Sequence, residues 1–218
     1  MAERTPSRRQ PDGFAWTPEN RAWCDRQVAK YPEGRQASAV IPFLWQAQKQ
    51  EGWVTIPAME EIARQLDMPY IRVYEVATFY TMFNLKPEGT YFVQLCGTTP
   101  CQLRGSEGLI DVCHEVIGPQ HTISASGNLS WLEVECLGAC CNAPMVQIND
   151  YYYQDLTPET FRDILMRLDR GEYVEPGVFN DGRHTSDPEG ENTTLTDPAL
   201  YDGSRAEKVT LPNTGDAA

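Results

Sequence analysis

At 218 residues the chain has room for one large domain or two small ones. A formal net charge of −13 argues against nucleic acid and an anionic membrane surface as partners, and no apolar run approaches the ~20 residues that span a bilayer. The apolar share of 41% is a little low for a globular chain, so part of it is expected to stay outside any core.

The stretch Met1 to Gly13 is polar, carries Arg4, Arg8 and Arg9, and lacks the apolar segment of a secretory signal. Glu3 and Asp12 are out of place in an organellar transit peptide, so the chain reads as soluble and cytoplasmic. From about 14 to 86 the pattern is helical. Thr17-Pro18-Glu19 starts a first helix with a capping hydroxyl, a proline in the first turn and an acid at the positive end of the dipole. A second helix is predicted from about Ala39 to Glu51, stopped by Gly52, with Pro42 tolerated in its first turn. A third begins near Pro57, where Met59, Ile62, Ala63 and Leu66 follow helical spacing. A fourth is predicted from Pro69 to about Phe83, and its aromatic stripe of Tyr70, Tyr74, Phe79, Tyr80 and Phe83 reads as core packing. These segments are expected to form a small helical bundle over 14–86.

Pro87-Glu88-Gly89 is a turn and the predicted domain boundary. Beyond it Tyr91 to Leu95 forms a strand ending at Cys96, and Glu107 to Val116 a helix capped by Ser106. Trp131 to Glu135 alternates apolar and acidic residues, the mark of a half-buried strand ending at Cys136. Met145 to Ile148 and Tyr151 to Gln154 pair through the Asn149-Asp150 turn. Thr157-Pro158-Glu159 caps a last helix that runs to about Arg170 and ends at Gly171. The order β-α-β-β-β-α implies helices packed on a small sheet, a second domain over 89–175 and an α+β chain overall. From about Pro176 the sequence turns to Asp, Glu, Gly, Pro, Asn and Thr, and 176–218 is expected to be an acidic, extended or disordered tail, dispensable for any site upstream.

Seven cysteines without a secretion signal argue against a disulfide framework and for metal binding in a reducing compartment. Cys96-x4-Cys101 and Cys136-x3-Cys140 lie in loops after predicted strands, so one end of a sheet can gather them. Structural zinc favours tighter knuckles, commonly Cys-x2-Cys, although spacings up to four occur. The wide x4 loop matches plant-type [2Fe-2S] spacing, where backbone wraps a cluster rather than one ion. Small residues at Gly97, Thr98, Gly138 and Ala139 let backbone N–H groups approach the sulfurs. The Cys-x2-Cys-x2-Cys run of a [4Fe-4S] site and the Cys-x-x-Cys of a thioredoxin-type dithiol are both absent. Spacing therefore favours [2Fe-2S], with zinc and unligated thiols as alternatives. Cys24 and Cys113 read as small buried residues. Cys141 leaves the second pair open, as Cys136 with Cys140 or with Cys141. His114, His121 and His184 have no paired spacing with the cysteines and are set aside as ligands.

Cys136-Leu137-Gly138-Ala139-Cys140, followed by Asn142-Ala143-Pro144-Met145-Val146-Gln147-Ile148-Asn149-Asp150, resembles one family: the NuoE-type subunit of respiratory complex I, the NADH:quinone oxidoreductase. Cys96-Gly97-Thr98-Thr99-Pro100-Cys101 resembles the first half of that motif, and Val76 to Phe83 the family's helical region; the likeness runs from about 20 to 172. It implies an N-terminal helical bundle followed by a thioredoxin-like [2Fe-2S] ferredoxin domain. It also implies Cys96, Cys101, Cys136 and Cys140 as cluster ligands, which selects Cys140 over Cys141. No residue is implied to be catalytic in itself. FMN and NADH are expected on a partner flavoprotein, since this chain has no Gly-rich dinucleotide fingerprint.

The function implied is electron transfer. A [2Fe-2S] cluster exchanges single electrons with the FMN of the partner, within a respiratory complex whose other peripheral-arm subunits also contact the chain. The chain itself would sit in the cytoplasm, attached to the inner face of the bacterial membrane only through that complex. The same module in an NAD-linked formate dehydrogenase or a soluble hydrogenase is the alternative, and a zinc-bound scaffold a more distant one.

Overall fold

Four helices open the chain in a computed structural model that describes residues 4–186, 194 and 196–200. Helix α1, Pro18–Val28, starts where the Thr17 hydroxyl accepts the Asn20 amide at 3.2 Å. A 3-10 turn over Gln36–Ala39 leads into α2, Val40–Glu51, which ends at Gly52 with φ of 81°, a left-handed conformation that suits glycine. Helix α3, Ile56–Gln65, is capped by Thr55, and the predicted stripe of Met59, Ile62, Ala63 and Leu66 is buried. Helix α4, Tyr70–Phe79, is shorter than predicted. The chain turns extended at Tyr80, and that turn sends Phe83 and Leu85 into the helical core while Phe79 stays exposed. Phe43, Leu44, Met59, Ile62, Leu66, Val73 and Phe83 anchor this core. Residues 4–10, set outside the bundle by sequence, lie along it: the Ser7 amide donates to Leu85 O at 2.8 Å, and Gln10 accepts from Ile56 at 2.8 Å.

The rest is a mixed sheet with helices on it. Strands β1 (Tyr91–Cys96), β2 (Leu129–Val134), β3 (Val146–Ile148), β4 (Tyr151–Gln154) and β5 (Gly177–Val178) lie in the order β2-β1-β3-β4-β5. The β1–β2 and β4–β5 pairs are parallel; β1–β3 and β3–β4 are antiparallel. Between β1 and β2 run a five-residue helix α5, Thr99–Leu103, and α6, Ser106–Val116. Helix α7, Pro158–Asp169, carries a capping box in which Thr157 and Thr160 exchange side-chain and backbone bonds.

Strand period sets what goes where. Val93, Leu95, Leu129, Trp131, Val146 and Ile148 share a core with Leu109 and Val112 of α6 and Phe161, Ile164 and Leu165 of α7. The intervening residues face away from that core. Cys96 is among them, and it joins a separate small cluster with Cys101, Ala143 and Met145. An exposed Lys49–Asp150 pair at 2.7 Å spans from the helices to the β3–β4 turn and contributes little by itself.

Tyr80 of the predicted aromatic core stripe is likewise exposed, and three further local readings need correction. Ser106 is not the cap of α6 but its buried first residue; Gly105, left-handed at φ of 99°, occupies the cap position. Cys101 lies in α5, not in a loop, because Pro100 opens a helix too short to show periodicity. Residues 177–186, placed by sequence in the tail, belong to the fold. The Phe179 amide donates to Gln154 O at 2.9 Å, its ring stacks on Tyr153 at 5.9 Å, and Arg183 pairs with Asp155. One aromatic ring and one buried ion pair secure this strap where composition alone predicted none. The tail expectation for 187–193, 195 and 201–218 lies outside the described residues.

Gly89, next to the turn between the helices and the sheet, is a point of close approach. A Cβ there would stand 2.6 Å from the backbone carbon of Leu129 and 2.8 Å from Asn128 O. Those are backbone atoms and cannot swing aside. Gly89→Ala is expected to lower stability by about 1–3 kcal/mol in urea unfolding. Gly13→Ala, which meets nothing within 4 Å, is the control and should stay within about 0.5 kcal/mol of the parent.

Candidate metal centre

The β1–β2 register brings the two cysteine segments to one end of the sheet. Cys96 pairs across with Val134, so Cys136 follows just beyond the same edge. The chain then returns along β3, where the Cys96 amide donates to Met145 O at 3.4 Å. Of the seven cysteines, Cys96 and Cys101 are 2% and 1% exposed, while Cys136, Cys140 and Cys141 face solvent.

Each pair holds its own proton balance. Burial pushes the Cys96 thiol up, but the Thr98 hydroxyl, the Leu137 and Thr98 amides and the Cys101 thiol outweigh it and leave it below its ordinary value. The Cys96 sulfur lies 3.4 Å from Thr98 Oγ1. Cys101 goes the other way: burial, then its bond to Cys96, pushes it up to about 12. The two members of the inner pair are thus shifted in opposite directions, Cys96 down and Cys101 up. In the outer pair the Cys136 and Cys140 sulfurs are 3.7 Å apart, and the Gly138 amide donates to Cys136 Sγ at 3.4 Å. Cys140 is raised, chiefly by its bond to Cys136. The charge of Cys140 also acts on Cys101, and that of Cys96 on Cys140, so the pairs lie within electrostatic reach of each other. Gly138 sits at φ of 80°, which its place in the tight outer loop requires.

Among the described residues, no three His, Cys, Asp or Glu side chains converge tightly enough to hold a single metal ion. Four thiols divided into two pairs instead suit a dinuclear group, with two sulfurs for each iron. Metal binding would release the protons that Cys101 and Cys140 retain. The small residues around the site admit backbone N–H groups to negative sulfur, as the Gly138, Thr98 and Leu137 contacts illustrate.

The remaining candidates make no contact with the four sulfurs in the bonds described. Cys24 is buried in the helical core and Cys113 in the sheet core; burial raises Cys24 to about 12 and pushes Cys113 up as well. Cys141 is exposed, and its carbonyl accepts from Arg183 at 2.7 Å. His114 packs its ring edge-on to Trp131 at 5.0 Å, and the His121 amide bonds Trp131 O. The strap carries His184 to the site, where its carbonyl accepts from Asn142 at 3.2 Å.

Sequence reasoning missed the supports of the outer loop. Tyr152 donates its hydroxyl to Leu137 O at 2.7 Å. The β4 alternation carries a signal for it, since Tyr152 must face opposite to the core residue Tyr153. Asn142, Asp155 and Arg183 were missed altogether.

The chain is matched over residues 24–169 by the family model for the thioredoxin-like [2Fe-2S] ferredoxin. Among curated proteins it is 53% identical over 193 residues to a NuoE-type NADH-quinone oxidoreductase subunit of Rhizobium meliloti (strain 1021), covering 87% of this chain and 70% of that protein. It is 48% identical over 157 residues to the corresponding NADH-quinone oxidoreductase subunit of Rickettsia bellii (strain RML369-C), covering 71% and 94%. Among solved structures it resembles an NAD+-reducing [NiFe]-hydrogenase in the air-oxidized state, with a TM-score of 0.55 and 18% identity. That likeness covers 61% of this chain and 23% of the hydrogenase chain, and it is a likeness of fold.

Alkylation of the metal-free chain at pH about 8.5, near the ordinary thiol pKa, should separate the cysteines. Cys136 and Cys141 are expected to react first. Cys101 and Cys24, both near 12, and the buried Cys113 should lag until the chain is denatured. Peptide mass mapping against time reads this, and labelling of Cys113 as fast as Cys136 would contradict the burial described.

Proposed function

Because the chain belongs to the thioredoxin-like [2Fe-2S] ferredoxin family, we propose that Cys96, Cys101, Cys136 and Cys140 hold a [2Fe-2S] cluster, Cys96 with Cys101 on one iron and Cys136 with Cys140 on the other. The observation that carries this assignment is the pairing itself: two thiol pairs at one end of the sheet, with N–H groups directed at sulfur. Its fold is α+β, with N-terminal helices and a mixed five-stranded sheet.

The chain is a subunit of an NADH:quinone oxidoreductase, the name carried by its relatives at 53% and 48% identity, and electron transfer is the role its cluster gives it there. When bound, the cluster supplies one-electron redox chemistry. A nicotinamide gives up a hydride, two electrons at once, so a flavin must stand between. NADH and FMN bind a partner flavoprotein, and this chain supplies position and electrostatics. Thr98 and the amides of Leu137 and Gly138 stabilise negative sulfur, Cys101 and Cys140 give up their protons on loading, and the buried inner pair keeps water from one side. No described helix is long and apolar enough to cross a membrane. Attachment to the inner face of the bacterial membrane is through the complex. The domain limits that fit this function are 14–86 for the helical bundle and 89–175 for the ferredoxin-like part, the latter extended by the strap to 186.

Single Cys→Ser changes at Cys96, Cys101, Cys136 and Cys140 should each lower iron and sulfide content and bleach the visible spectrum. Cys141→Ser should keep both. Full content in Cys140→Ser with loss in Cys141→Ser would transfer the fourth ligand to Cys141.

Purified chain with NADH and an artificial acceptor should show no turnover until the flavoprotein is added. Substantial NADH oxidation by the flavin-free chain alone would mean that it is a complete enzyme rather than one part of a complex.

A further inference from the structure

The outer cysteine loop faces solvent, yet buried polar side chains hold it from beneath. Asn142, 1% exposed, closes the turn that begins at Cys140. Its amide nitrogen donates to Asp155 Oδ2 at 2.7 Å and to His184 O at 3.2 Å, and its oxygen accepts the Ser186 amide at 2.7 Å. Its backbone carbonyl accepts the Asp155 amide at 2.8 Å. Asp155 and Arg183 side chains are only 3% and 12% exposed and pair at 2.7 Å, while the second terminal nitrogen of Arg183 donates to Cys141 O at 2.7 Å. One guanidinium therefore joins a buried carboxylate to the backbone of the loop. Its fork geometry makes both bonds at once, which a lysine cannot reproduce.

We propose that Asn142, Asp155 and Arg183 are positioning residues for the cluster, and that the strap over 177–186 is a clamp that fixes the loop bearing Cys140. This rests on the ligand assignment above. The residues touch no sulfur; they act through the backbone of Cys141 and the turn at 140–142. The blander view is that these bonds merely pin down the strap and leave the metal site indifferent. Two features favour the clamp. Asn142 uses both ends of its amide to tie the loop to the strap, and the Arg183 contact falls on the residue adjacent to a ligand. The sequence expectation that the chain beyond Pro176 is dispensable for the site is reversed by this reading.

The test uses the full chain with its cluster reconstituted. Arg183→Lys keeps the charge beside Asp155 but gives up the bond to Cys141 O. It should leave the metal-free thermal midpoint near that of the parent, yet release iron to a chelator roughly tenfold faster and alter the visible circular dichroism and reduced-state EPR signature. Unchanged spectra and release in a folded Arg183→Lys would overturn the clamp while leaving the ligand assignment standing. A parent chain that gathers no iron and sulfide would overturn the ligand assignment and the clamp with it. A second measurement needs no variant. Linkage is reciprocal, so if the strap helps hold the cluster, the cluster must help hold the strap. Amide exchange at Phe179, Asp155 and Ser186 should slow on loading by about tenfold more than exchange at Met59 in the helical core. Equal slowing at both would likewise overturn the clamp.

Discussion

Cys96 stands at the last position of a strand whose side chains must alternate. With Val93 and Leu95 committed to the core under α6 and α7, Cys96 can only face away from it. The parallel register to β2 then determines where Cys136 emerges, and the antiparallel register to β3 determines where Met145 closes the small cluster around the inner sulfurs. A one-residue slip of β1 would put a thiol in the apolar core and a leucine at the proposed metal site. The location of the centre is thus a consequence of sheet pairing and core burial, before any ligand chemistry enters.

Gathering sulfur charge in a chain of net charge −13 raises an electrostatic difficulty that packing alone does not resolve. The answer is local rather than global. Inner sulfur is desolvated but receives the Thr98 hydroxyl and backbone amides; outer sulfur stays in contact with water and with the Gly138 amide. These are charge-assisted bonds from groups whose positions the loop backbone already fixes. The opposite shifts of Cys96 and Cys101 express the same arrangement: hydrogen bonds from Thr98 and the backbone favour charge on one sulfur, while burial holds the proton on the other.

Local patterns were legible in the sequence, and remote ones were not. Thr17 and Thr157 each precede a proline-containing first turn, and both cap helices as expected. Strand alternation marked β2, expected over Trp131 to Glu135 and found at Leu129–Val134, and the cysteine spacing put two groups of thiols beyond strand ends. What escaped were elements too short to have a period, α5 with five residues and β5 with two, and a network joining Asn142 to Arg183 across the sequence. Arg183 sits in a stretch whose composition is that of a tail. Nothing in its neighbours announces that Phe179 stacks on Tyr153 or that a buried aspartate awaits it. Composition averages over a window, whereas one ring and one ion pair can secure a whole strap of chain once their partners come from elsewhere.

The same asymmetry explains why the outer loop needs support of a kind the inner one does not. Cys96 and Cys101 are fixed by a strand and a helix with apolar neighbours around them, so their positions follow from packing. Cys136 and Cys140 lie on an exposed loop where solvent gives no such restraint, and where a redox partner must be able to come close. Rigidity there has to come from directional bonds made on the buried side. Tyr152 holds Leu137, Asn142 closes the turn, and Arg183 grips Cys141. Hydrogen bonds to backbone carbonyls serve this purpose because they fix the loop without covering its outer surface. The structure thereby keeps one side of the centre open and still limits the motion of the residues that line it.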